Sequence, residues 1–109
     1  MRWEDDGAKV TLDLHGVRVD DVEALVLRAL RLAFQYGRIS MKIVHGNSTS
    51  ETLYRNRTIK YQLYELIESG ALDDYISDEL YSEGFCTLIL HRTTHKPKTH
   101  RINPFDVFR

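Results

Sequence analysis

The sequence predicts an α/β chain, more narrowly an α+β two-layer sandwich of order βαβαββ: a mixed four-stranded sheet covered on one face by two helices. Three observations predict it. Two short apolar runs, Leu12-Asp13-Leu14-His15-Gly16 and Val44-His45-Gly46-Asn47-Ser48, each end in a His-Gly turn that leads toward a helix-like stretch. One strongly amphipathic segment separates them, and a second apolar stripe at helical spacing follows the later turn. Two alternating runs then close the chain as a hairpin.

Met1 to Gly7 reads as an irregular acidic start, and Lys9 to His15 as the first strand. Val10, Leu12 and Leu14 alternate onto one face, leaving Thr11, Asp13 and His15 on the other. Asp20 or Asp21 can cap the first helix, with Glu23 completing a capping box. Val22, Leu25, Val26, Ala29, Leu32, Ala33 and Tyr36 then recur at helical spacing, and Gly37 is suited to the stop. Arg38 to Val44 is the second strand, so the first three elements form a βαβ unit whose crossover should be right-handed. Asn47 to Arg57 is polar and reads as a loop that becomes helix near Asn56. Ile59, Leu63, Leu66 and Ile67 make the second apolar stripe, which ends at Ser69-Gly70. Tyr75–Glu79 and Phe85–His91 are the last strands, with Tyr81–Gly84 as their turn. From Arg92 the chain is an irregular basic tail ending in Phe105-Asp106-Val107-Phe108, which could dock on the domain or on a partner. The expected division is thus a lead over residues 1–8, a domain over 9–91 and a tail over 92–109.

With 109 residues and 42% hydrophobic content the chain is long enough for a single modest core. No apolar run is long enough to span a bilayer, so no membrane partner is expected. The one cysteine, Cys86, sits in the apolar run Cys86-Thr87-Leu88-Ile89-Leu90, which points to a buried thiol in a reducing compartment; the cytoplasm is the expected location. Net charge is −1, but its distribution is polarised. Arg38, Lys42, Arg55, Arg57 and Lys60 face only Glu51 in the middle of the chain, while seven acids and no bases lie between Glu65 and Gly84. Such a map can steer polyanions despite a sum near zero.

Strand ends that feed helices are where open α/β sheets place their chemistry. An Asp-x-His pair on one strand face brings its two side chains within roughly 7 Å. Asp13 could orient His15 or act as a base itself, and His45 is a second acid/base group or a phosphate-binding cation. These residue types suit RNA cleavage, where the 2′-OH must lose a proton and the 5′-oxygen must gain one. A DNA substrate would instead need an activated water, and there a divalent metal ion such as magnesium would be the cofactor, with Asp13, His15 and His45 as a sparse ligand set. The second helix carries a further signal. Arg55, Arg57 and Lys60 crowd its start and Glu65 and Glu68 its end, the reverse of what the helix dipole favours, which is sensible if a phosphate lies at that end. Backbone N–H groups from Gly46 through Asn47, Ser48 and Thr49 could complete the cradle. Taken alone, an Asp-x-His is also what a solvated strand face looks like, and His45-Gly46 alone is only a turn.

Leu12-Asp13-Leu14-His15-Gly16, followed by a capped amphipathic helix, resembles the signature of the small MutS-related (Smr) domain. Val44-His45-Gly46 resembles that family's His/Thr-Gly-x-Gly motif, with Ser48 where the last glycine is expected. The resemblance spans roughly Lys9 to His91. It implies a βαβαββ fold similar to the C-terminal domain of bacterial translation initiation factor three, and nuclease activity: nicking of DNA or endonucleolytic cleavage of RNA. In this chain it implies Asp13, His15 and His45 as catalytic residues, with Gly16, Gly46, Asn47, Ser48, Thr49, Arg55 and Arg57 holding substrate. RNA is the favoured nucleic acid, and a ribosome or a larger repair assembly are further conceivable partners. The alternative is a catalytically silent nucleic-acid-binding or ribosome/protein-interaction module on the same fold.

Overall fold

The computed structural model describes residues 1–46, 58–93 and 96–109. Among these, five strands form one mixed sheet in the order β1-β2-β3-β5-β4, with β1 Arg2–Asp5, β2 Lys9–Asp13, β3 Ser40–Val44, β4 Ile76–Ser82 and β5 Phe85–Leu90. Only β2 and β3 run parallel, joined by α1 Val22–Gln35; the other pairs are antiparallel. α2 Ile59–Glu68 lies between β3 and β4 in sequence, and a short α3 Pro104–Val107 ends the chain. The α+β class and the βαβαββ order hold.

Period-two alternation decides which side of the sheet each residue serves. Leu12, Ile43, Cys86 and Leu88 are fully buried toward the helices, where Val26, Ala29 and Leu30 of α1 and Leu63 of α2 meet them. Burying each large aliphatic side chain contributes roughly 1.5–3 kcal/mol, so this single layer holds the fold. Cys86 lies inside it, and burial pushes its thiol up to about 12. Thr11, Asp13, Lys42 and Val44 project to the other face, which no described helix covers.

Both ends of the chain are more ordered than their composition suggests. The expected irregular start is strand β1, which makes the sheet five-stranded rather than four-stranded. The cause is tertiary. Asp5 accepts from Arg38 Nε (2.9 Å) and Nη2 (3.0 Å), and their side chains are 2% and 0% exposed. Arg38 also donates to the carbonyls of Tyr36, Lys98 and His100, and Asp5 accepts from the N–H groups of Ile102 and Gly7. One ion pair thereby ties β1, the α1–β3 turn and the tail. Burial pushes the Asp5 carboxyl upward, but the Arg38 and backbone hydrogen bonds outweigh it and hold the carboxyl below its ordinary range. Removing either partner of such a pair costs about 3–5 kcal/mol, because the other charge is left buried alone.

The tail likewise docks on the domain. Ile102 and Val107 are buried, Asn103 caps α3 by accepting from Phe105 N–H (2.9 Å), and Pro104 suits its first position. Of the terminal aromatic pair, Phe108 packs against the core and Phe105 is 82% exposed.

Three local expectations shift. A 3₁₀ turn, Val19–Asp21, leads into α1, so Asp21 sits at the cap position already coiled (φ −96°, ψ −7°) and makes no side-chain cap bond. α2 starts at Ile59, not near Asn56, because Thr58 is extended and its hydroxyl accepts from Tyr61 N–H (3.0 Å). β4 runs on to Ser82, which pairs with Phe85, leaving Glu83-Gly84 as the hairpin turn with Gly84 at φ +82°.

Candidate active site

Parallel pairing brings the two His-Gly turns together. β2 and β3 are in register to their last residues, Asp13 opposite Val44, and Leu14 N–H donates to the Val44 carbonyl (2.9 Å) just beyond. On the far side of β3, His45 N–H and Gly46 N–H both donate to the Gly84 carbonyl (3.0 Å each). Both turns and the β4–β5 hairpin therefore form one continuous rim at the carboxyl ends of the parallel strands.

In the first turn, Asp13 is half-buried at the end of the uncovered face, in register with Arg2 on one side and Val44 on the other. Its Oδ1 accepts from His15 N–H (2.9 Å), a short aspartate turn that fixes the backbone leaving the strand. Val17 N–H closes the turn on the Leu14 carbonyl (2.9 Å). The His15 side chain is exposed. Gly16 stands at φ +82°, a backbone conformation that favours glycine, and no described atom lies within 4 Å of where its β-carbon would be.

The second turn is built differently. His45 is 7% exposed and points inward, not into the rim. Its Nδ1 lies 2.7 Å from the Gly46 carbonyl, which can only accept, so Nδ1 carries the proton and Nε2 accepts from the Tyr64 hydroxyl (3.2 Å). The Tyr64 ring stands edge-on to the imidazole at 5.3 Å and to Tyr81 at 4.8 Å. Burial lowers the His45 pKa and the Lys60 ammonium adds to this, against an opposing effect of the Gly46 carbonyl. The site favours a neutral imidazole bracing α2 against β3. Gly46, at φ +77°, likewise meets no described atom within 4 Å of where a β-carbon would stand.

The structure thus brings Asp13, His15, Gly16 and Gly46 together at one rim and sets the His45 ring behind it. Asn47, Ser48, Thr49, Arg55 and Arg57 lie outside the described residues. Of the inverted charge pattern of α2, the described part has no acid in the first turn and no base in the last. α1 obeys the dipole only at its start: Glu23 is in the first turn, but no base occupies the last. Among the described residues no three His, Cys, Asp or Glu side chains converge to hold a metal ion, and Asp13, His15 and His45 do not form the ligand set that the sequence suggested.

Tyr64, the hydroxyl partner of His45, is the site residue that the motifs do not announce. Its position beside Leu63 and three before Ile67, on the margin of the apolar stripe, was the available signal. His91 Nε2 is 3.0 Å from the Asp73 carbonyl, and in the tail the His100 ring packs edge-on to Tyr36.

Comparison with known proteins agrees with this geometry. The sequence model of the Smr domain matches residues 12–84, a span holding both turns, α1, α2 and the β4–β5 hairpin turn. No curated protein matches the chain. The crystal structure of the Smr domain of Thermus thermophilus MutS2 superposes with a TM-score of 0.56 at 18% identity, covering 77% of this chain and 98% of that one. At that identity the likeness speaks to fold, while the sequence match covers well over half of the residues. The chain therefore belongs to the Smr domain family, which is associated with nicking endonuclease activity and nucleic-acid binding.

Proposed function

We propose that this protein is a nucleic-acid endonuclease that cleaves single-stranded RNA at the rim formed by its two His-Gly turns. One observation carries the reading: the Leu14–Val44 hydrogen bond and the in-register parallel pairing join both motif turns, with Asp13 at the uncovered face and His15 in solvent beside it. The Asp13 carboxylate takes the proton of a 2′-OH, whose oxygen attacks the adjacent phosphorus. The P–O5′ bond breaks, and protonated His15 gives its proton to the departing 5′-oxygen, leaving a 2′,3′-cyclic phosphate and a 5′-OH. Histidine suits that step because it exchanges protons near neutral pH. The Gly16 and Gly46 turns let a phosphate approach, since neither presents a side chain. RNA is favoured over DNA because its 2′-OH is a built-in nucleophile.

A second reading, binding without turnover, is favoured by the inward-turned His45, which among the described residues of the two motifs leaves Asp13 and His15 to move both protons. Cleavage of labelled single-stranded RNA, with and without EDTA, separates the two. Asp13→Ala and His15→Ala are each expected to lose about 10²-fold or more in rate. A single 2′-deoxy nucleotide at the mapped cut should block cleavage, and EDTA should not. Equal cleavage by all three proteins would sink the assignment, and tight binding with no cleavage would establish the second reading.

A further inference from the structure

Arg28 lies at the middle of α1 and Arg31 one turn further on, and neither serves its C-terminus. With Ala24 and Gln35 they occupy the stripe of the helix turned away from the core. The tail runs beside that stripe, held by Arg28 Nη1, which donates to the main-chain oxygens of Val107 (3.0 Å) and Arg109 (3.3 Å). Helix and tail thereby enclose two adjoining clefts of about 430 Å³ and about 680 Å³, which share Ala24, Arg28 and Arg109. The first opens on Gly16 and Arg18, directly after His15, and the second continues past Arg31 to Gln35.

Four arginines line this groove (Arg18, Arg28, Arg31 and Arg109) against two aspartates, Asp21 and Asp106, and Asp106 is already engaged by Arg109 at 3.3 Å. Arg31 Nε bonds to a neutral group, the Tyr75 hydroxyl (3.2 Å), which leaves its charge uncompensated by that contact. The groove is therefore locally positive in a chain whose net charge is −1. Guanidinium forks suit phosphate oxygens, and a floor of Leu25, Leu27 and Leu32 offers no pattern of donors and acceptors with which to read bases.

We propose that this groove is the track for the sugar–phosphate backbone of a single nucleic-acid strand, leading along α1 to the first turn. The inference rests on the nuclease reading above and adds where the strand lies and why its binding is indifferent to sequence. The test is fluorescence anisotropy of the full chain with labelled oligouridine across a salt series. Wild type is compared with the double variant Arg18→Glu/Arg31→Glu and with Arg92→Glu outside the groove. Circular dichroism melts check that each variant folds. Arg28 is left intact because it holds the tail.

The double variant should bind about tenfold or more weakly at moderate salt, with a log K against log salt slope shallower by roughly two, while Arg92→Glu stays within about twofold. If wild type binds and cleaves but the double variant matches it in affinity and slope, the track is wrong and the nuclease reading stands. If wild type neither binds nor cleaves, the nuclease reading fails and the track with it. Binding of polyglutamate that depends on Arg18 and Arg31, beside oligouridine binding that does not, would assign the groove to an acidic protein partner and overturn the proposal.

Discussion

His15 and His45 each precede a glycine of positive φ at the end of one of two adjacent parallel strands, yet one imidazole is in solvent and the other is 7% exposed against Tyr64. The difference is one residue of phase. Asp13 stands opposite Val44, so one step further on Leu14 aligns with His45, and His15 aligns with Gly46. Leu14 and His45 both take the core side, and His15 takes the open side. A shift of one residue moves a side chain to the other face of a sheet, and that rule holds into the turn. Similar strings at similar places can thus have opposite uses: one histidine is presented to solvent, the other is a structural brace.

Substitutions at both turns can break or sharpen this contrast. The largest effect on stability is expected from His45→Ala. It removes a packed ring and strands the Tyr64 hydroxyl, at about 2–4 kcal/mol and a drop in Tm on the order of 10 °C or more. His15→Ala should change stability by less than about 0.5 kcal/mol while abolishing cleavage. Equal Tm losses in the two variants would erase the distinction drawn here. Next come the glycines. Gly16→Ala and Gly46→Ala should each cost roughly 1–2 kcal/mol, since both force a β-carbon into left-handed backbone with no described atom close enough to clash. Thermal melts showing a markedly larger cost at Gly46 would mean that the second turn is more tightly packed than its described neighbours indicate.

Tyr64→Phe removes the donor to His45 Nε2 and should cost about 1 kcal/mol, with cleavage retained. A complete loss of cleavage at normal Tm would instead bring His45 back into the chemistry. The smallest effect is the pH dependence of stability. The folded protein resists protonating His45, whose ordinary value is 6.5, while the unfolded chain does not. Its contribution is therefore full above that value and declines as the pH falls below it. Urea midpoints from pH 8 down to pH 5 should show this decline in wild type and a flatter profile in His45→Asn. Asp5 acts in a separate window. Its carboxyl is held below its ordinary value of 3.8, so the stability it supplies is lost only as the pH falls below that.

Much of this molecule is legible in one dimension. Alternation over Lys9–Asp13 and the helical spacing from Val22 to Gln35 are local properties of the chain, and the elements form where those periods lie. The same holds for the stops at Gly37 and Gly70, both at positive φ. The two turns were visible too, because Asp-Leu-His-Gly and Val-His-Gly are strings that a strand end can read out. Strand β1 was not legible: a four-residue segment with one large apolar side chain, Trp3, has too short a pattern to register, and its hold comes from Arg38, far along the chain. Arg38 itself looked like one more member of a basic stretch. Nothing local distinguishes a surface arginine from one whose side chain is 0% exposed and bonded to three carbonyls.

By itself the sequence determined the class of fold, the order of its main elements, the family, and the pairing of an acid with a histidine at a strand end, since each rests on spacing over a few residues. Only the tertiary structure decided the fifth strand, the docking of the tail, the inward turn of His45 and the arginine groove between α1 and α3. Those four depend on which distant residues meet across strand register and helix packing. Periodicity names the face a residue can occupy, but the partner waiting on that face is set by the fold as a whole.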